Sequence, residues 1–257
     1  MIDPTVLIDP NARIGDNVTI GPYSVIGPDV SIDDGTWVGP HVVIRGPTTI
    51  GKSNKIYQFS SIGENPQDRK YKDDKHSELQ IGDNNVIREF CTINRGTDHG
   101  GGKTVVGDNN WIMAYVHIAH DCLIGNNTIF ANNTTLAGHV VVDDHAIFGG
   151  FTGIHQFCRI GKHCFTAISS VVVKDVPPYL MISGNTAKPN GLNREGLKRH
   201  GFQPETVNLL RKAYKIVYRQ GLTVKQAMEE LQEIANQSEE VRYFAEFISK
   251  STRGIVR

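Results

Sequence analysis

The sequence predicts an all-β parallel β-helix built from hexapeptide repeats, followed by a small C-terminal α-helical domain. Three observations carry that expectation. An aliphatic residue recurs at every sixth position, glycine often follows it, and toward the C-terminus both features give way to a helical period.

The aliphatic column begins at Ile2 and runs through Ile8, Ile14, Ile20, Ile26, Ile32, Val38, Ile44, Ile50 and Ile56 to Ile62. It resumes at Ile81, Ile87 and Ile93. It returns once more from Val106 through Ile112, Ile118, Ile124, Phe130, Leu136, Val142, Phe148, Ile154, Ile160 and Thr166 to Val172, and only Thr166 is not apolar. A long helix repeats every 3.6 residues and a long strand every 2, so neither places an aliphatic here with IGDN, IGPY, IGPD and IGKS around it. A hexad is therefore a short strand and a corner. Three hexads close one triangular coil with the aliphatic pointing inward. Successive coils then pair in parallel, about 4.8 Å apart. Positions separated by three hexads stack in columns. A rod serving only as scaffold explains this column but not its interruptions.

From Ile62 to Ile81 the spacing is 19 and from Ile93 to Val106 it is 13, each one position off a multiple of six. Loops are extruded there, near 63–80 and 94–105. The first, GENPQDRKYKDDKHSELQ, is polar and charged, and the second, NRGTDHGGGKTV, is rich in glycine. Loops held on a rigid scaffold are where function tends to sit. The GGG run lacks the strand-to-helix context of a phosphate-binding loop.

The hexads stop after VVVKDVPPYL, which divides the chain into a prism over 1–190 and a helical domain over 191–257. In PETVNLLRKAYKIVYRQG, Val207, Leu210, Ala213, Tyr214 and Val217 share one helical face, with Pro204 near the start and Gly221 at the stop. Two further helices are expected over Val224–Ala235 and Glu239–Ser249.

A chain of 257 residues with 39% hydrophobic content has enough apolar surface for a core. Its 27 basic and 27 acidic side chains cancel, so no global field favours nucleic acid or an anionic membrane. Regionally the balance differs. Residues 191–257 carry 12 Lys/Arg against 8 Asp/Glu, whereas the prism carries 15 against 19. The basic tail suits an acidic partner. The N-terminal MIDPTVLIDPNARIGD shows no basic, apolar leader pattern and no segment approaches a membrane span, so stable membrane insertion is not expected and a cytoplasmic location is. Cys91, Cys122, Cys158 and Cys164 form no CxxC pair, which favours free thiols over disulfides or zinc ligation.

Eight of the ten histidines fall between His99 and His200, and HIAHDC sets His117, His120 and Asp121 together. Counting by whole coils stacks His120 with Gly138 and Gln156, and Asp121 with His139. An imidazole beside a carboxylate, a backbone N–H from Gly138 and an amide from Gln156 supply a general base, an orienting group and oxyanion donors. That set suits acyl transfer. His120 would take the proton from an attacking hydroxyl while Gly138 steadies the oxyanion. Spacing alone does not bond Asp121 to His120, because neighbouring strand residues face opposite ways unless a corner falls there.

Several stretches together resemble the UDP-N-acetylglucosamine acyltransferases that begin lipid A biosynthesis in Gram-negative bacteria: IYQFSSIGE, QDRKY, HIAHDC, NNTTLAGHV, HQFCRIG, DVPPY, EGLKRHGF and STRGIVR. The resemblance covers essentially the whole chain and implies a left-handed β-helix, a homotrimer with clefts between subunits, and no metal or other cofactor. It implies transfer of an (R)-3-hydroxyacyl group from acyl carrier protein to the sugar 3-hydroxyl of UDP-N-acetylglucosamine. By the same resemblance His120 is the general base, Asp121 its partner and Gly138 an oxyanion donor. Gln67, Asp68, Lys70, His117, His139, His155 and Gln156 would line the sugar, phosphate and acyl path, and Asn193, Glu195 and Arg199 would hold the nucleotide.

Three positions depart from the family pattern. Asn94 in TINRGT stands where a histidine is usual near the sugar, which bears on sugar preference. His200 replaces a common second arginine. Ile168, one full coil after Gly150, occupies a position on the acyl path that is glycine in long-chain members, so a shorter acyl chain is expected. Other readings are a related UDP-sugar N-acyltransferase, which would carry an additional N-terminal domain, a γ-class carbonic anhydrase using His117 and His120 as zinc ligands, and a sugar-nucleotide-binding scaffold without catalysis.

Overall fold

The computed structural model describes residues 1–72 and 77–257. Asp73, Asp74, Lys75 and His76, part of the first extruded segment, lie outside the described residues.

Each hexad contributes a short strand, such as Thr19–Ile20 or Val25–Ile26. Every third strand joins the same sheet, giving parallel stacks of nine, eight and ten strands on the three prism faces, the last of them closed by one antiparallel strand. The register is that of the three-hexad coil: Ile20 pairs with Val38, Ile26 with Ile44 and Ile32 with Ile50. From Ile20 to Val172 the inward residues are buried. Thr166, the polar member, accepts from the Gly149 N–H at 3.1 Å and lies 2.9 Å from the Thr152 hydroxyl, so its buried oxygen is satisfied.

A second inward column, two positions before each aliphatic, holds small and amide side chains. Asn54 Oδ1 accepts from the Asn85 N–H at 2.8 Å, Asn85 Oδ1 from the Asn110 N–H at 2.9 Å, and Asn110 Oδ1 from the Thr128 N–H at 2.8 Å. The four cysteines occupy this column, buried and free, where a compact apolar thiol fits.

The corners share one backbone device. The residue three after the inward aliphatic has a left-handed backbone at most corners, as at Tyr23 (φ 59°), Asp121 (φ 60°), His139 (φ 61°), His145 (φ 61°) and His163 (φ 58°). Non-glycine residues are strained in this conformation. Coil-to-coil bonds such as His139 N–H to the His120 carbonyl at 3.0 Å hold them there.

The two interruptions leave and rejoin the prism at one corner. Ile62 pairs with Ile93, and Ile93 in turn with Ile118, so the chain between each pair is longer than the ordinary coil while the stacking of the prism continues across it. The flanking strands lengthen to Ser61–Glu64, Glu78–Ile81 and Lys103–Val106, with a bulge between Ile62 and Glu64. Buried Arg95 ties the two segments together. Its guanidinium donates to the Gly63 carbonyl at 3.0 Å and to Gly46 O and Asn65 Oδ1.

The parallel stack ends with Leu180–Ser183, which turns into the antiparallel strand Lys188–Leu192. Four helices follow: α1 (Arg194–Arg199), α2 (Pro204–Arg219), α3 (Val224–Ala235) and α4 (Glu239–Ser249). The last three span the segments in which the sequence places helices, with Leu210, Ala213, Tyr214 and Val217 buried on α2. Helix α1 is too short to show a period and has no counterpart in the sequence expectation. Thr223 and Gln226 form a reciprocal cap on α3, and Ser238 caps α4. The chain end folds back on the prism, where Val256 N–H donates to the Asp175 carbonyl at 2.9 Å and Ser251 Oγ to its carboxylate at 2.7 Å. No described helix is long and apolar enough to cross a membrane.

Candidate active site

Asp121 is a corner residue, and that resolves the difficulty raised by strand alternation. Its left-handed backbone turns the carboxylate back toward its neighbour, so Asp121 Oδ2 lies 2.7 Å from His120 Nδ1. The carboxylate is held from the other side by the second extruded segment. Thr97 donates its N–H to Oδ1 at 2.9 Å and its hydroxyl to Oδ2 at 2.7 Å. Burial alone pushes the Asp121 carboxyl up. The hydrogen bonds from His120 and Thr97 outweigh that and leave it below the usual carboxylate range, so it is ionised at neutral pH. An anionic partner on Nδ1 fixes the His120 tautomer with Nε2 outermost.

His120 and Gly138 touch across one coil. A Cβ added to Gly138 would sit 2.5 Å from His120 Cε1 and 2.7 Å from Nε2, so only glycine leaves room for the imidazole against the backbone one coil on. The Gly138 N–H donates to no described backbone carbonyl, although the neighbouring His139 N–H does. His139, on the Asp121 column, places Nε2 3.6 Å from Asp121 Oδ2 and stands edge-on to His120 with ring centroids 5.2 Å apart. Phe157 stacks beneath it at 4.4 Å. Burial lowers the His139 pKa, and burial followed by the nearby His120 lowers that of His117. His117 Nδ1 meets the Thr92 hydroxyl at 2.7 Å.

Asp68, from the first extruded segment, reaches this corner. It caps its own turn through the Lys70 N–H at 2.9 Å, and its Oδ2 lies 3.3 Å from His99 Nε2. The Lys70 bond, ahead of His99, keeps the Asp68 carboxyl below its ordinary range. Gln67 and Lys70 are exposed beside it, and His155 and Gln156 are exposed one coil past Gly138. His155 Nδ1 lies 3.2 Å from the Arg253 guanidinium.

Other expected residues lie elsewhere on the chain. Asn193 caps α1, accepting from the Gly196 N–H at 3.1 Å, and donates to the His163 carbonyl at 3.0 Å. Glu195 and Arg199 project from α1 into a cavity of about 490 Å³ walled by Ile147, Phe165 and Met181. Ile168 is 70% exposed at a different corner. Asn94 is buried, its amide donating to the Asn65 carbonyl at 2.9 Å and the Glu64 carbonyl at 3.3 Å, so it braces the first extruded segment. Thr97, which holds the Asp121 carboxylate, and Arg95, which ties the two extruded segments together, are contacts that the sequence does not single out. Both sit beside TIN in the second interruption, and nothing in the period distinguishes them from other loop residues.

His120, Asp121 and His139 bring three potential metal-ligating atoms within 4.8 Å of one another, as do His145, His163 and His200. In the first group the carboxylate oxygen nearest both rings is already engaged by His120 and Thr97.

Two family models match: the second domain of UDP-N-acetylglucosamine O-acyltransferase over residues 175–256, and the bacterial transferase hexapeptide (six repeats) over residues 103–138. An acyl-(acyl-carrier-protein) UDP-N-acetylglucosamine O-acyltransferase of Thiobacillus denitrificans is 56% identical over 100% of this chain and 99% of its own. The chain belongs to the UDP-N-acetylglucosamine O-acyltransferase family. A solved UDP-N-acetylglucosamine acyltransferase from Francisella novicida, 46% identical, superposes with a TM-score of 0.98 over 100% of this chain and 94% of that one. The Arabidopsis acyltransferase, 39% identical, gives 0.88 over 100% of both chains. The prism is thus a left-handed parallel β-helix, the fold class of this acyltransferase family.

Proposed function

We propose that this protein transfers an (R)-3-hydroxyacyl group from the thioester of acyl carrier protein to the 3-hydroxyl of UDP-N-acetylglucosamine, the first step of lipid A biosynthesis. The observation that carries this reading is the His120 imidazole pinned by Asp121 at 2.7 Å with its free edge against Gly138. His120 Nε2 removes the proton of the sugar hydroxyl as that oxygen attacks the thioester carbonyl. The Asp121 carboxylate stabilises the imidazolium, and the Gly138 N–H donates to the oxyanion. Collapse forms the ester, breaks the C–S bond and returns the proton from His120 to the departing thiolate. These steps call on no metal or other cofactor.

The acceptor lies along Gln67, Asp68, Lys70, His117, His139, His155 and Gln156, and the uridine nucleotide in the α1 cavity with Asn193, Glu195 and Arg199. In a single chain these regions occupy different prism corners, and a homotrimer joins one chain's catalytic corner to a neighbour's cavity. An exposed aromatic ladder supports such an assembly: Tyr23, His41, Phe59, Phe90 and Tyr115 stack at centroid distances of 4.9–5.4 Å along one corner. The acidic carrier docks on the basic tail, where Arg194, Arg211, Lys215 and Arg219 line a pocket of about 550 Å³ beside the last hairpin. The enzyme works in the cytoplasm, in keeping with its four free thiols.

The test is incubation with UDP-N-acetylglucosamine, its 3-amino analogue and a series of 3-hydroxyacyl carrier thioesters, read by mass spectrometry. Ester formation on the 3-hydroxyl is expected, with short chains preferred because Ile168 closes the acyl path, and Ile168→Gly moving the optimum to longer chains. The 3-amino analogue belongs in the panel because of Asn94. No acyl transfer to either sugar refutes the activity, and identical chain-length profiles for wild type and Ile168→Gly refute the role of Ile168.

A further inference from the structure

The corner next to the catalytic one carries a second histidine cluster, of which only His200 also lines the α1 cavity. His145 and His163 occupy the left-handed position at the same corner of successive coils, and their rings stack at 4.6 Å and 8°. His200, the residue that ends α1, lies across both, with ring centroids 4.6 Å from His145 and 4.8 Å from His163. Phe202 closes the far side, edge-on to His163 at 5.0 Å.

The Nδ1 atoms of His145 and His163 are both buried and have no hydrogen-bond partner among the described residues. His163 itself is only 8% exposed. A buried ring nitrogen without a partner is costly, and here two of them stand on adjacent, stacked rings.

We propose that His145, His163 and His200 form a binding site for a divalent transition-metal ion of the imidazole-preferring class, zinc foremost. One nitrogen from each ring already lies within 4.8 Å of the others. A tetrahedral zinc with Zn–N bonds of about 2.0–2.1 Å needs its ligand nitrogens roughly 3.4 Å apart. Closure therefore requires the two stacked rings to tilt toward a common point and exposed His200 to swing in. The all-imidazole set suits zinc, copper and nickel and disfavours magnesium and calcium, which take oxygen ligands. Three protein ligands leave a fourth position for water.

The ion has a structural consequence. Asn193 already fastens the start of α1 to the His163 carbonyl at 3.0 Å. A metal shared by the His163 ring and His200 fastens the end of the same short helix, clamping the wall of the Glu195–Arg199 cavity at both ends. The ion takes no part in acyl transfer.

The test uses tag-free full-length protein stripped of metal and titrated with Co²⁺, whose visible absorption reports tetrahedral nitrogen ligation, then with competing Zn²⁺. One ion per chain is expected, together with a higher Tm in zinc but not in magnesium. His145→Ala and His200→Arg should each weaken binding at least tenfold and abolish the zinc-dependent Tm shift. His200 is exposed at a helix end, so its replacement folds even if that of His145 does not. His120→Ala should bind as wild type does. The proposal is overturned if no ion binds, if His200→Arg binds unchanged, or if His120→Ala is the variant that loses the ion, which places it at His120, Asp121 and His139 instead.

Discussion

Two adjacent corners of the prism carry imidazoles, and they differ in whether a carboxylate is bonded to one of them. At the first, Asp121 takes the left-handed position and His139 follows one coil later, while His120 stands just before the corner. At the second, His145 and His163 hold the equivalent positions, and the neighbouring Asp144 carboxylate accepts from the Asn126 N–H rather than from either ring. Asp121 commits one nitrogen of His120, stays ionised and fixes the ring edge-first against Gly138. Without such a partner, His145 and His163 stack face to face and leave Nδ1 atoms unsatisfied. The repeat supplies identical racks, and the residue at the corner decides whether an imidazole becomes an oriented base or an uncommitted ligand.

The largest expected effect comes from dismantling the first corner. Replacing His120 by Ala removes the base and should lower kcat by about 10²–10⁴, the usual contribution of a positioned proton acceptor. Asp121→Asn keeps the shape but exchanges an anionic acceptor for an amide that can present N–H to Nδ1 and favour the wrong tautomer. Its loss should fall in the same range, with KM for the sugar nucleotide changed far less. Steady-state assays with acyl carrier thioester check both, and Asp121→Asn with near wild-type kcat would reduce the carboxylate to a structural part.

The pairing of His120 with Asp121 shows how far the amino-acid sequence can be read. The hexad period dictates the prism, its faces and the stacking of His120 with Gly138, because a strict inward column leaves few places for the chain to go. It leaves the His120–Asp121 bond undecided, since that bond depends on the corner conformation rather than on the period. The roles of Arg95 and Thr97 are set by how two irregular segments meet, and no periodicity describes such a meeting. Helix α1, a single short element capped by Asn193, has too few turns to show a helical face. The second inward column is readable in principle: Asn54, Asn85, Asn110 and Thr128 recur two positions before each aliphatic.

A smaller effect is expected at Gly138. A methyl group there meets His120 Cε1 at 2.5 Å and Nε2 at 2.7 Å, closer than real Cβ contacts, so the ring must move. The Gly138 backbone is not in the left-handed region, so the clash and not strain decides the outcome. Gly138→Ala should lower kcat roughly 10- to 100-fold through misplacement of the base and cost about 1–3 kcal/mol by overpacking. The same substitution at Gly153, where an added Cβ meets nothing within 4 Å, is the control and should leave stability near wild type.

The smallest effect concerns protons. Burial holds the imidazoles of His117 and His139 below their ordinary range, so the folded protein keeps both neutral at a pH where the unfolded chain has begun to protonate them. A histidine with a depressed folded pKa makes the unfolded state bind more protons. Stability must then rise with pH through the ordinary imidazole range near 6.5 and fall as pH drops below it. Asp121 acts in the same sense but further into acid, because its carboxylate must be protonated before its bonds to His120 and Thr97 are lost. Wild type should therefore have a lower Tm at pH 5.5 than at pH 7.5. His117→Gln keeps a polar atom near Thr92 but cannot take up the proton, so its decline should be shallower by a few degrees, at about 2–4 °C per kcal/mol for a chain of this size. Parallel Tm curves for the two proteins would mean that His117 titrates alike in both states, and that its burial against Thr92 does not set its charge.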